Sequence, residues 1–359
     1  MIETAKEQAT DLVLTDARSF ANTPMGLVRR GLADLGKKER KIIQFPEDPI
    51  GVIEVFPSTA SAQDAMQGIT TERYLAKGEI SIPLSSLSML NLSSQNPFAL
   101  DDLSPCILKT VDGVCHNYSL GSLPKKKFED YSHLKWLYLG GLQDSFSRDT
   151  PDLMRLTNLQ GLGITCAAFG LELELLPNTT EFPQSLEYLE LCEAWMNDDN
   201  LYWLEDLTKI KWLDLACNYI NGSGLACLLP MKTLQTLCLD YTDLEDEGMA
   251  HISKMKSLRR LELRCTRITP KSLLALLELP ALSSLYLNDT KTNDYGLQII
   301  GNMTQLNDLA LSNTSITDWA LPAIAELQNL RSLSLRNTQI SPKGFLFLQR
   351  ALPNCVIEK

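Results

Sequence analysis

Histidine is nearly absent from this chain: His116, His133 and His251 are the three among 359 residues. None stands at motif spacing from a Ser, Cys or Asp, so nucleophile–base and general acid–base pairs have no visible starting point. GxSxG, HExxH and a GxxxxGK loop ending in Ser or Thr are missing as well, and with them the common hydrolase, zinc-protease and nucleotide-phosphate signatures. The nine cysteines include no CxxC pair and are odd in number, so neither a disulfide framework nor a zinc site is encoded. A reducing cytoplasm is the expected setting. No stretch approaches the ~20 apolar residues of a membrane span. The opening MIETAKEQATDLVL carries acids where a secretory leader has Lys or Arg. Positive charge is in deficit, with 33 Lys and Arg against 44 Asp and Glu and a net charge of -11. Such a field repels a polyanion. The expected partner is therefore a protein with a basic or mixed surface, with no nucleic acid, membrane, metal or cofactor involved.

What the chain has is periodicity. From residue 186 the pattern LxxLxL recurs, with its first position at Leu186, Ile210, Leu234, Leu258, Leu282, Leu306 and Leu330, each 24 residues after the last. Leu261 and Leu263 alternate as in a strand that buries one face. A polar slot follows, filled by Asn218, Thr242, Thr266, Thr290, Thr314 and Thr338. Its buried side chains must find hydrogen bonds, and the backbone of the neighbouring coil is the expected partner. Thr269-Pro270 and Ser341-Pro342 have the form of a helix N-cap followed by proline. Apolar residues at spacing three (Leu273, Leu276, Leu279; Met249, Ile252, Met255) predict a short helix with one buried stripe. A short strand and a short helix cannot bury their faces alone, whereas stacked coils complete one another's cores.

The LxxLxL phrase, its 24-residue step and the wording TxITxxxL (Thr266 to Leu273) resemble leucine-rich-repeat proteins, in a form similar to the ribonuclease-inhibitor-like and bacterial branches. The likeness covers residues 130–359 well and the earlier part loosely. It implies an α/β horseshoe with a parallel concave sheet and convex helices. Irregular coils are expected at Leu159–Ile164, Leu134–Leu139 and Leu87–Leu92, with a long insertion through Lys125-Lys126-Lys127. Residues 354–359 form a truncated closing strand. Residues 1–80 break the pattern. Helices are expected over Thr4–Ser19 and Gly26–Ile42 and strands over Ile50–Phe56 and Glu79–Ile82, as a small α+β cap. Residues 81–359 are assigned to the solenoid.

In such a solenoid the side chains between inward leucines face the concave surface. Trp136, Tyr138, Tyr188, Trp212, Tyr241 and Tyr286 form an aromatic strip there, accompanied by Glu187, Glu190, Asp214 and Asp240. Rigid aromatics bury much area at low entropic cost, so the strip is expected to anchor a protein while the acids steer a basic surface. The same residues can instead pack on one another and shield the sheet. Arg260, Glu262 and Arg264 suit either an anion site or, better, a charge ladder with Asp240 and Asp289. Cys192 and Cys217 approach on neighbouring coils, but Glu190, Glu193 and Asp214 nearby disfavour a thiolate. A non-enzymatic interaction module follows. A ubiquitin-ligase-type adaptor and a glycan-binding module are the alternatives, and no F-box-like leucine pattern is present in residues 1–80 to support the first.

Overall fold

A computed structural model describes residues 40–44, 51–56, 72–76, 79–83, 87–92, 111, 113–117, 132–140, 156–165 and 182–359. Twelve strands run parallel along one sheet. The irregular coils supply β5 (Leu87–Leu92), β6 (Gly113–Asn117), β7 (Trp136–Gly140) and β8 (Gly161–Thr165). The regular coils supply three-residue strands: β9 (Tyr188–Glu190), β10 (Trp212–Asp214), β11 (Thr236–Cys238), β12 (Arg260–Glu262), β13 (Ser284–Tyr286), β14 (Asp308–Ala310), β15 (Ser332–Ser334) and β16 (Val356–Glu358).

The register reproduces the spacing of the leucines. From Leu189↔Leu213 to Leu333↔Ile357, each inward residue pairs with the one 24 positions on. Upstream, Leu137↔Leu162 and Leu162↔Leu189 preserve the irregular steps of 25 and 27. Leu189, Leu213, Leu237, Leu261 and Leu285 are fully buried, and each such side chain contributes roughly 1.5–3 kcal/mol of burial. The expected closing strand is present as β16, paired to β15.

Two expectations need correction. The stretch assigned to a long insertion contains β6, a full member of the sheet between β5 and β7. Its phrase is Val111-x-x-Val114-x-His116, with valine and histidine where other coils have leucine. The helix expected to reach Ile42 does not, because β1 (Arg40–Gln44) is a strand paired antiparallel with β4 (Glu79–Pro83). The rest of that helix, the one at Thr4–Ser19 and the Lys125–Lys127 run lie outside the described residues. The strand expected near Ile50–Phe56 is β2 (Gly51–Phe56), and that near Glu79–Ile82 is β4. With β3 (Glu72–Leu75), β2 lengthens the main sheet antiparallel beyond β5.

The returning segments are α-helical at Asp246–Ile252, Asp294–Ile300 and Pro342–Ala351, but 3-10 at Asp198–Leu204, Ser223–Leu228 and Pro270–Glu278. Leu273, Leu276, Met249 and Ile252 are buried as the spacing requires. Thr269 precedes Pro270 but makes no side-chain cap. Its hydroxyl donates to Asp246 Oδ2 of the previous coil (2.6 Å), while its N–H donates to Asp246 Oδ1 (2.7 Å). Asp294 with Thr317 and Asp318 with Ser341 repeat this inter-coil clamp.

The threonine slot also differs from expectation. Thr242, Thr266, Thr290, Thr314 and Thr338 each donate to the carbonyl three residues back in their own coil, at 2.6–2.8 Å. At this slot each hydroxyl is satisfied within its own coil, whereas other hydroxyls, such as Thr233 to Ile210 O and Ser257 to Leu234 O, do bond the preceding coil. Asn218 does so from the slot itself, and its Oδ1 accepts from Ala194 N and Met196 N of the preceding coil.

The residue before that slot is left-handed in seven successive coils: Glu193, Cys217, Tyr241, Cys265, Asp289, Asn313 and Asn337 have φ of 53–57°. Asn and Asp tolerate this region, whereas a bulky side chain costs roughly 1–2 kcal/mol there. Tyr241→Asn is therefore expected to raise stability by about 1 kcal/mol, read as a higher urea midpoint at unchanged m-value. A lowered midpoint would show that Tyr241 contributes more by packing than its backbone loses.

Candidate functional site

The strand face divides into two halves of different character. In the first half the aromatic residues close the surface. Tyr188 and Trp212, directly opposite on β9 and β10, stack with ring centroids 3.9 Å apart and planes 7° from parallel. They are 3% and 4% exposed, and Trp136 is fully buried. The expectation that Trp136, Tyr138, Tyr188 and Trp212 stand free as anchors therefore needs correction. Large neighbours on parallel strands cover one another and make a packed wall.

The acids behind that wall are buried too. Glu190 accepts from Tyr188 Oη (3.1 Å) and Tyr138 Oη (3.3 Å). Asp214, next to it in register, accepts from Ala216 N at 2.8 Å. Removal from water disfavours the charged form and pushes the Glu190 carboxyl up to about 7, although both tyrosines oppose the shift. Burial, with Glu190 beside it, raises Asp214 as well. Burial and Glu262 push Asp240 up to about 7. Carboxyls in this state are poor long-range steering charges, which corrects the role expected of Glu190, Asp214 and Asp240. Glu187 lies at the rim, partly exposed and paired with Lys211 at 2.8 Å.

The second half is open and charged. Arg260 Nε lies 2.7 Å from Glu262 Oε1, and its Nη1 donates to Tyr286 Oη at 2.8 Å. Arg264 bridges Asp240 and Glu262 at 3.5 Å each. Both guanidinium groups sit over the Tyr286 ring, 4.3 and 4.9 Å from its centroid. The charge ladder is present on Asp240 and Glu262, while Asp289 is exposed and outside it. Arg260, Arg264 and Tyr286 are partly exposed, and Tyr241 is 60% exposed at the rim. The Asp–Thr clamps and the left-handed column escaped the sequence reading, although Asp246, Asp294 and Asp318 at one slot and Asp289, Asn313 and Asn337 at another were the available signals.

Among the described residues, Cys238, Asp240 and Glu262 place metal-type ligand atoms within 4.8 Å of one another. Arg260 and Arg264 already neutralise the two carboxylates, so the trio is part of the ladder. No described helix is long and apolar enough to cross a membrane.

No family model and no curated protein matches the sequence. Solved structures do. An internalin from Listeria monocytogenes superposes with a TM-score of 0.50 at 15% identity, over 76% of this chain and 86% of that one. An internalin C2 of the same species covers 57% of this chain and 73% of its own, at 22% identity and a TM-score of 0.39. A leucine-rich-repeat protein of Leptospira interrogans covers 76% and 89%, at 19% identity and a TM-score of 0.35. With a 24-residue register held through eight successive strands, a leucine core and a matching solved fold, the chain has the leucine-rich-repeat fold.

Proposed function

We propose that the protein is a non-enzymatic recognition module that binds another protein on the concave sheet, over the half formed by β12–β15. One observation carries this reading: the Arg260–Tyr286–Arg264 stack, held from below by Glu262 and Asp240 and open on its outer side. Arg and Tyr are the residue types that dominate interface energetics. A stack whose rotamers are already fixed by ion pairs loses little entropy on binding. The buried Tyr188–Trp212 wall then serves as rigid backing, and Tyr241 extends the contact to the rim. Arginines, Asp308 and the Glu187–Lys211 pair present both signs of charge, which suits a partner of mixed surface. β2 and β3 cap the β5 edge, and free thiols at Cys192, Cys217, Cys227, Cys238, Cys265 and Cys355 fit a cytoplasmic setting.

A photo-crosslinking residue tests the assignment directly. Placed at Tyr286, it is expected to trap the partner. Placed at Trp319, 84% exposed at the start of a returning segment, it is expected to trap none. Crosslinks at Trp319 alone would move the interface off the sheet. Crosslinks at neither position, together with hits on a glycan array, would favour sugar recognition.

A further inference from the structure

We infer that the chain pairs with a second copy of itself along one rim of the solenoid, the two copies lying end for end. The rim is built by the turns that lead from each strand into its returning segment. In the coils that begin at Leu186, Ile210 and Leu234 these turns carry Glu193, Asp199, Asp243, Glu245 and Glu247, beside the clamping Asp198 and Asp246, and no Lys or Arg. In the coils that begin at Leu258, Leu282, Leu306 and Leu330 they carry Arg267, Lys271, Lys291 and Lys343. Of the acids there, Asp294 and Asp318 are engaged in clamps to Thr317 and Ser341, which leaves Asp289. The rim is thus acidic over its first part and basic over its second. The two parts meet at the Arg267–Asp243 pair, 2.6 Å apart.

Both parts also expose large rings. Trp195 and Tyr219 hold the same position in adjacent coils of the acidic part and are 46% and 62% exposed. Tyr295 and Trp319 share a position in the basic part, 53% and 84% exposed, and Lys271 and Lys343 hold that position in the coils on either side. Open rings in a row mark an interaction surface. A surface that carries both signs of charge in separate parts complements itself. Copies aligned in the same direction would set acid on acid, whereas a two-fold axis sets each acidic part on a basic one, as an isologous contact requires. Counted outward from the boundary, the coil of Glu245 and Glu247 faces that of Arg267 and Lys271. The coil of Tyr219 faces that of Lys291 and Tyr295, and the coil of Trp195 faces that of Trp319. The rings supply buried area and the charges fix the direction. This contact uses none of the residues assigned to the strand-face site and does not depend on that assignment.

Sedimentation equilibrium of the full-length chain tests the pairing. The wild-type chain is expected to be a dimer that dissociates on dilution. Arg267→Glu/Lys271→Glu makes both parts acidic and Glu245→Lys/Glu247→Lys makes both basic, so each variant alone should be a monomer. An equimolar mixture of the two should restore the dimer. Trp195→Ala/Trp319→Ala changes no charge and should weaken the dimer more than about tenfold. A photo-crosslinking residue at Trp319, where no foreign protein is expected, should join two copies of the chain. A wild-type monomer at every concentration, a dimer kept by both charge variants, mixed variants that stay monomeric, or no crosslink between copies would overturn the proposal. So would a foreign protein trapped at Trp319 in place of a second copy. Wild-type sedimentation and the Trp319 crosslink decide should a charge variant fold poorly.

Discussion

Between about pH 5 and about pH 8 the protein is expected to lose stability as the pH rises, by on the order of 3 kcal/mol. The Glu190 carboxyl is raised from 4.5 to about 7 and Asp240 from 3.8 to about 7, with Asp214 shifted in the same direction. A group whose folded value is raised binds more protons in the native state than in the unfolded one. Its contribution is complete below the unfolded value and disappears as the pH climbs through the folded value. Asp246 and Asp318 run the other way, being lowered by Thr269 and by Ser341. Their contribution is lost only as the pH falls below about 4, so the window from pH 5 to pH 8 isolates the strand face. Thermal midpoints by circular dichroism should fall across that window, and Glu190→Gln should flatten the fall because its amide has no proton to lose. A midpoint that rises from pH 5 to pH 8 would show these carboxyls ionised in the folded state.

Asn218→Thr is expected to cost about 3–5 kcal/mol, although threonine fills the same slot in five later coils. Asn218 is 4% exposed and holds two coils together. Its Nδ2 shares two hydrogens among Leu191 O, Leu215 O and Ala216 O at 2.7–3.1 Å. Its Oδ1 accepts from Ala194 N and Met196 N. A threonine hydroxyl satisfies its own coil as Thr242 does, but leaves the Ala194 and Met196 N–H groups and the Leu191 carbonyl of the preceding coil without that partner. Each orphaned buried group costs roughly 1–3 kcal/mol. Thr338→Val, at the partly exposed last slot, should cost less than half as much, because it removes one bond within a coil. Equal losses for the two variants in urea unfolding would mean that the preceding coil finds other donors and acceptors.

The coil that Asn218 serves is itself unusual. Both Glu193 and Trp195 are left-handed there, and Asn218 is what ties that turn down. In sequence the position stood out only as asparagine among threonines, and the reason lay in an amide that accepts and donates at once, to the preceding coil and to its own. The regular coils were legible because a buried leucine every 24 residues leaves little freedom in register. β6 was not, since Val114 and His116 stand in register with Leu137 and Leu139 without looking like leucine. For the site, sequence placed Tyr188, Trp212, Arg260 and Tyr286 on one face correctly. It did not reveal which of them stay accessible, because exposure depends on how neighbouring rings and chains fill the space. Tyr188 lies flat on Trp212 and closes its surface, whereas Tyr286 lies beneath two arginines that remain partly open.

The central claim, recognition of a protein by the open half of the strand face, is tested most directly by paired affinity capture from native lysate. The wild-type chain is compared with Tyr241→Ala/Tyr286→Ala, each shown by circular dichroism to be folded. A specific partner held by the wild-type chain and lost by the variant is the predicted result. The same partner held equally by both would contradict it and place the interface elsewhere on the solenoid.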